Sequence, residues 1–344
     1  MSSPELSASA SASAHASASD RLSGADALPG RLPALGYGAA NVGNLFRALS
    51  DEEAWAVLEA AWDAGIRYFD TAPHYGLGLS ERRLGAFLQT KSRDEFVVST
   101  KAGRLLRPNP DHEPGGLDTA HDFFVPDDLR REWDFSETGI RASIAESQER
   151  LGLDRIDVLY LHDPERNDLD LALAQAYPAL EKVRAEGLIG AIGVGSMATD
   201  ALTRSVREAD LDLIMVAGRY TLLEQPAAAE VLPACAEHGT GIVAASVFNS
   251  GLLAQPEPQR SGRYEYGQLP EELWGRLVRI AAVCKDHDVP LPAAAIQFPL
   301  QSSLVRSVVV GGSRPAQLAQ NAEYARLEIP AELWRNLAEE GLTA

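Results

Sequence analysis

Cysteine is almost missing from this chain of 344 residues: Cys235 and Cys284 are the whole supply. No Cys-x-x-Cys spacing joins them, which argues against a disulfide framework and a cysteine-based zinc site and for two buried free thiols. Basic residues are scarce as well, 31 Lys and Arg against 49 Asp and Glu, for a formal net charge of −18. Nucleic-acid backbones and anionic lipid surfaces repel such a surface, so neither is an expected partner. No apolar run approaches the roughly 20 residues of a membrane span. No basic start followed by an apolar stretch opens the chain as a secretory signal would, so the expected compartment is the cytoplasm. The seven histidines are scattered and none falls in a His-Glu-x-x-His spacing, so no metal is expected. A Gly-x-Gly-x-x-Gly after an early strand is also missing, which weakens a Rossmann reading.

What the chain does have is a large apolar content, 45%, laid out in a regular alternation. Residues 1–30 stand outside it. They are mostly Ser and Ala, too poor in large apolar groups to offset the entropy of ordering, and are expected to form a disordered tail that includes His15. From Leu35 onward, eight short apolar runs read as strands: Leu35–Gly38, Ile66–Asp70, Phe96–Lys101, Ile156–His162, Gly190–Val194, Leu213–Val216, Gly241–Ala245 and Ser307–Val310. They are apolar throughout rather than alternating, as parallel strands covered on both faces are. Helical patterns separate them. Ser50-Asp-Glu-Glu53 is a capping box ahead of Ala54, Val57, Leu58, Ala61 and Trp62 on one face, and Gly65 stops that helix. Ser80 is the expected cap of the next helix and Ser136 of a later one. Eight βα units in one run predict a single (β/α)₈ TIM barrel over residues 31–344. Two connections are too long for simple turns, 104–135 after the third strand and 249–270 after the seventh. The first carries Phe123, Phe124, Trp133 and Phe135, more aromatics than a purely solvated loop needs.

Chemistry enters where polar residues interrupt the strand ends. The second strand ends in Asp70, and Tyr75 follows five residues later. The third ends in Lys101 and the fourth in His162. In a barrel all four converge at the C-terminal mouth, where active sites form. A tyrosine of pKa about 10 is a poor proton-transfer group at neutral pH, and a nearby ammonium draws that value down. Lys101 is the expected source of that charge, Asp70 its anchor, and His162 a hydrogen-bond partner for a substrate oxygen. Each residue alone has a structural explanation, such as a turn cap, a buried ion pair or a satisfied core histidine. The set of four on neighbouring strand ends points to proton exchange coupled to hydride transfer with a nicotinamide cofactor.

The segments Phe69-Asp-Thr-Ala-Pro-His-Tyr-Gly76 with Ser80-Glu81, Ser99-Thr-Lys101 and Arg155-Ile-Asp-Val-Leu-Tyr-Leu-His162 resemble those of the aldo-keto reductases. The resemblance runs from about Leu35 to the C-terminus. It implies that Asp70, Tyr75, Lys101 and His162 are a catalytic tetrad and that the cofactor is NAD or NADP. It further implies cofactor contacts at Gly38, at Ser196, along Ser246, Phe248, Asn249, Gly251 and Leu253 around the pyrophosphate, and at Gly311, Ser313, Arg314, Gln317 and Asn321 toward the adenosine. Ala217-Gly-Arg-Tyr-Thr-Leu-Leu223, Val247-Phe-Asn-Ser-Gly-Leu-Leu253 and Ala295-Ile-Gln-Phe-Pro-Leu300 resemble a branch that oxidises sugars at C1 to lactones, or pyridoxal. The implied substrate is a small molecule, a sugar or aldehyde. Within the first long loop Trp133 is the expected sugar platform, with Phe123 and Phe124 in reserve.

The chain departs from the family pattern at three places. Gly195-Ser196 stands where many members have Ser-Asn, Ala217-Gly218 where many have Gln-Asn, and Ala245 where many stack an aromatic on the nicotinamide; Phe248 is the expected substitute. Near the last loop Arg314 is the only basic residue, so NAD and NADP both stay open. Two other readings compete. One is a nicotinamide-binding, redox-sensing subunit; the other is a barrel hydrolase or lyase built on Asp70, which leaves the Tyr–Lys pair unexplained.

Overall fold

A computed structural model describes residues 32–260, 264–265 and 267–343. The Ser/Ala-rich tail and part of the second long loop lie outside the described residues. The strands are β1 (Leu35–Gly38), β2 (Tyr68–Asp70), β3 (Val97–Ala102), β4 (Arg104–Pro108), β5 (Leu129–Trp133), β6 (Ile156–His162), β7 (Ile189–Ser196), β8 (Leu213–Ala217), β9 (Gly241–Ala245) and β10 (Val305–Val310). Eight of them close a barrel in the order β1-β10-β9-β8-β7-β6-β3-β2, with every pairing parallel. The helices are α1 (Asp51–Asp63), α2 (Leu79–Leu88), α3 (Glu137–Leu151), α4 (Tyr177–Ala185), α5 (Thr199–Glu208), α6 (Ala227–His238), α7 (Glu271–Asp286), α8 (Leu291–Gln297), α9 (Pro315–Arg326) and α10 (Ala331–Glu339).

Strand residues divide by parity. One set, including Phe69, Val98, Leu159, Ile192, Ile214 and Val308, joins the helices in the large outer core. The other, including Tyr68, Val97, Tyr160, Met215 and Val243, fills the barrel interior. Runs that are apolar at every position serve both packings, which is why the strands lack a two-residue alternation. Cys235 and Cys284 are buried free thiols in the outer core, their pKa values pushed up to about 12 by burial.

Ser50 and Glu53 form the capping box of α1, and Ser136 accepts from Gly139 N at the start of α3. Ser80 is not a cap. Helix α2 starts at Leu79 behind Gly78, whose φ of +81° suits glycine. The Ser80 hydroxyl, on the second residue of the helix, is buried, donating to Ala39 O at 2.8 Å and sharing a bond with Thr71 Oγ1. It ties α2 to the loops after β1 and β2. The connection 104–135 is not a plain loop either: it folds back as the antiparallel hairpin β4–β5, paired from Arg104↔Trp133 to Pro108↔Leu129.

Among the described residues no helix is long and apolar enough to cross a membrane, and no three His, Cys, Asp or Glu side chains cluster as a metal site.

Candidate active site

Parallel pairing sets the strand ends level. Asp70 on β2 pairs with Ser99, Lys101 with Tyr160, and His162 with Gly195. Lys101 Nζ donates to Asp70 Oδ2 at 2.6 Å and to Thr71 O at 2.9 Å, in a place where the lysine is only 2% exposed. Ser99 Oγ donates to the other carboxylate oxygen at 2.7 Å. Behind Ser99 stand two interior phenols: Tyr68 Oη lies 3.0 Å from Ser99 Oγ and 3.3 Å from Tyr160 Oη. This chain of hydroxyls fixes the carboxylate that fixes the ammonium. Ser99, Tyr68 and Tyr160 are not legible as site residues in the sequence, because their contact with Asp70 exists only once β2, β3 and β6 are in register.

The Lys101 ammonium lies 4.7 Å from the centre of the Tyr75 ring, and the His162 ring stands edge-on to Tyr75 at 5.9 Å. Burial works against the lysine's charge, but Asp70 and Tyr75 outweigh it and hold its pKa above the ordinary value. Burial also raises the Tyr75 pKa. Lys101 opposes that rise without cancelling it, so the phenol stays above its ordinary value, not below it as the sequence suggests. Burial, followed by the charges of Arg104 and Lys101, drives the His162 pKa well down, so the imidazole is neutral at pH 7. The result is a phenol beside a fixed cation and a neutral imidazole, a set able to exchange a proton.

A cleft of about 520 Å³ opens over these four. Along it lie Gly38, Ser196, Ser246, Phe248, Asn249, Gly251, Gly311, Ser313 and Gln317, gathered from the ends of β1, β7, β9 and β10. Small residues keep it open. A Cβ at Gly38 would come within 3.1 Å of Val309, and one at Gly311 within 3.1 Å of the Asn41 amide oxygen. Asn249 Oδ1 is buried and has no protein partner among the described residues. An elongated ligand with polar groups along its length fits such a trough. Ser196 is already engaged: it donates to Glu165 Oε1 at 2.6 Å and accepts from Ala198 N.

Other expected residues lie elsewhere. Leu253 is buried in the outer core, its backbone N–H donating to Phe248 O. Asn321, at the edge of the core, donates to Gly311 O at 3.5 Å, and Arg314 is exposed beside the trough. Phe123 is buried against His74 and Tyr75, where it braces the tyrosine loop. Phe124 is 40% exposed and Trp133 is half-buried under the Arg104 guanidinium, 4.5 Å from its ring centre.

Two neighbours have no signal in the sequence. Phe46, with φ of +63°, is 63% exposed and lines the cleft. Arg47 donates to Ser313 O at 3.1 Å, so Arg314 is not the only cation at the last loop.

Known proteins similar to this chain are recognisable by sequence and by shape. The chain is 86% identical over 308 residues to a D-threo-aldose 1-dehydrogenase of Pseudomonas sp., covering 90% of this chain and 94% of that one. It is 39% identical over 327 residues to a pyridoxal 4-dehydrogenase of Microbacterium luteolum, with 90% and 94% covered. A solved aldo-keto reductase of Bacillus halodurans superposes with a TM-score of 0.70 at 24% identity, over 90% of this chain and 92% of that one, and shares the fold. The pattern of the Aldo/keto reductase family, oxidoreductases that use nicotinamide cofactors, matches residues 34–340, and the chain belongs to that family.

Proposed function

We propose that the protein is an aldose 1-dehydrogenase, oxidising C1 of a sugar of the L-fucose, D-arabinose or L-galactose type to the lactone. The observation that carries the chemistry is the buried Lys101–Asp70 pair set under the Tyr75 ring at the floor of an open cleft. The substrate class is supported by the likeness to the D-threo-aldose 1-dehydrogenase.

The trough suits a dinucleotide laid from Gly311, Ser313 and Gln317 toward Lys101, with Ser246, Phe248, Asn249 and Gly251 along its middle and Gly38 and Ser196 near the reacting end. When bound, the nicotinamide supplies the hydride acceptor. The remaining work belongs to the chain. Neutral His162 donates a hydrogen bond to the oxygen on C1 and orients it. The phenolate of Tyr75, stabilised by Lys101, takes the proton from that oxygen and becomes the neutral phenol. Asp70, held by Ser99, keeps the ammonium in place and charged.

We infer that NAD is accepted well, with or without NADP. Arg314 and Arg47 both stand at the loop that would meet the adenosine ribose, but Arg47 also pairs with Glu53 at 3.4 Å, and that carboxylate disfavours an added phosphate.

The test is a panel of L-fucose, D-arabinose, L-galactose, D-glucose and pyridoxal, each with NAD and NADP, read by nicotinamide absorbance. Turnover of the first three above the others supports the proposal. Turnover of pyridoxal alone overturns the aldose assignment and leaves the four catalytic residues standing.

A further inference from the structure

The hairpin β4–β5 encloses a second cavity of about 510 Å³, within the roughly 300–1,000 Å³ of small-molecule sites. It is not remote from the chemistry. His74, the residue before Tyr75, lines it and stands with its ring 5.5 Å from that of His162 and 5.6 Å from that of His121. Arg131 donates to the His74 carbonyl at 2.9 Å, so the hairpin is tied to the backbone that carries Tyr75.

The lining is polar and charged in both senses, with four arginines and three aspartates. Most of those charges are already met. Asp118 accepts from both terminal nitrogens of Arg131 and lies 2.7 Å from His121 Nδ1. Arg104 and Arg166 both reach Asp163 from the far side, at 2.6 and 3.5 Å. Arg130 pairs with Glu132, and Asp127 with His112. An incoming anion would face three carboxylates. A neutral polyol fits better, because each hydroxyl can donate to a carboxylate and accept from a guanidinium or imidazole. The half-buried Trp133 indole adds an apolar surface for C–H groups.

We propose that this cavity is the subsite for the part of the sugar remote from C1, with Arg131, Asp118 and His121 on its hydroxyls and Trp133 against its C–H face. The assignment rests on the aldose reading above. It makes hairpin residues, rather than the cleft, the source of discrimination between long and short aldoses.

The test compares L-fucose with D-threose, an aldose two carbons shorter, in the wild-type enzyme and in His121→Ala and Trp133→Leu. His121 is half exposed, so its truncation spares the core. The ratio of kcat/KM for L-fucose to that for D-threose is expected to fall about tenfold in each variant, the scale of one lost hydrogen bond or ring contact. Equal losses on both sugars would mean that these residues only hold the hairpin, and would overturn the proposal. So would a preference of the wild type for D-arabinose 5-phosphate over D-arabinose. Binding is read separately, from the change in tryptophan emission on adding L-fucose, which Trp133→Leu should abolish. That change without any aldose turnover would remove the dehydrogenase reading and keep the cavity assignment. Turnover of L-fucose with an unaltered ratio in both variants would do the reverse.

Discussion

Replacing Lys101 by Met is the sharpest probe of the active site, because it separates the lysine's electrical role from its structural one. Taking the 4.7 Å to the Tyr75 ring as the separation, and an effective dielectric constant of about 20, the ammonium stabilises the phenolate by ~3.5 kcal/mol. Each ~1.4 kcal/mol is tenfold in proton affinity, so the variant's phenolate fraction should fall by between about 10² and 10³. Sugar oxidation near pH 9 should fall by that factor, and its rise with pH should move further into the alkaline range. A complication is that Lys101→Met leaves Asp70 buried without its cation, and breaking such a pair costs about 3–5 kcal/mol. The double variant Asp70→Asn, Lys101→Met removes both charges and should recover most of the lost melting temperature while recovering none of the turnover. The assay is a pH–rate profile with C1-deuterated sugar, where a primary isotope effect shows that chemistry limits the rate. Turnover within fivefold of wild type at pH 9, or recovery of activity in the double variant, would refute the electrostatic role assigned to Lys101.

Tyr75→Phe removes one hydroxyl, should lower turnover by about 10² or more, and should leave cofactor affinity measured by fluorescence titration unchanged. Retained turnover would take the proton-carrier role away from Tyr75. Arg47→Ala and Arg314→Ala should each weaken NADP more than NAD in Kd; equal losses for the two cofactors would place these arginines on the pyrophosphate or the fold instead. His162 is buried and His74 half-buried, and both have pKa values driven well below the ordinary 6.5, by desolvation first and by neighbouring charges, arginines foremost, after it. The unfolded chain therefore takes up protons before the native one does. Stability is full above about pH 6.5 and falls below it by about 1.4 kcal/mol per pH unit for each histidine. Urea unfolding at pH 7.5, 6.0 and 5.0 measures this, and His74→Asn should halve the slope.

The strand-end residues are legible in the sequence because the barrel strands are otherwise apolar. Asp70, Lys101 and His162 are costly groups to place at the end of buried runs, and the cost marks them as purposeful. Parallel strands with eight βα repeats leave few arrangements other than a closed barrel, so their convergence follows from topology alone. The hairpin is not legible. Arg104-Leu-Leu-Arg-Pro108 and Leu129-Arg-Arg-Glu-Trp133 are charge-rich and short, and their strand character comes from pairing with each other across 20 intervening residues. The sign of the Tyr75 shift escapes the sequence for a related reason. Sequence names the neighbours of a group but not how deeply it is buried, and here burial outweighs the lysine.

Arg47 marks the limit of reading cofactor preference from a local motif. Counting basic residues around Gly311–Pro315 finds only Arg314, yet the loop after β1 brings Arg47 to the Ser313 carbonyl from 266 positions away. It arrives there because β1 and β10 are neighbours in the closed barrel, with Tyr37 paired to Val310 and Leu35 to Val308. In a closed sheet the first and last strands touch, so the first and last loops share one rim. Whichever nicotinamide cofactor the enzyme prefers, the charge at this rim, where we place the adenosine end, is set jointly by two loops that no window along the sequence contains.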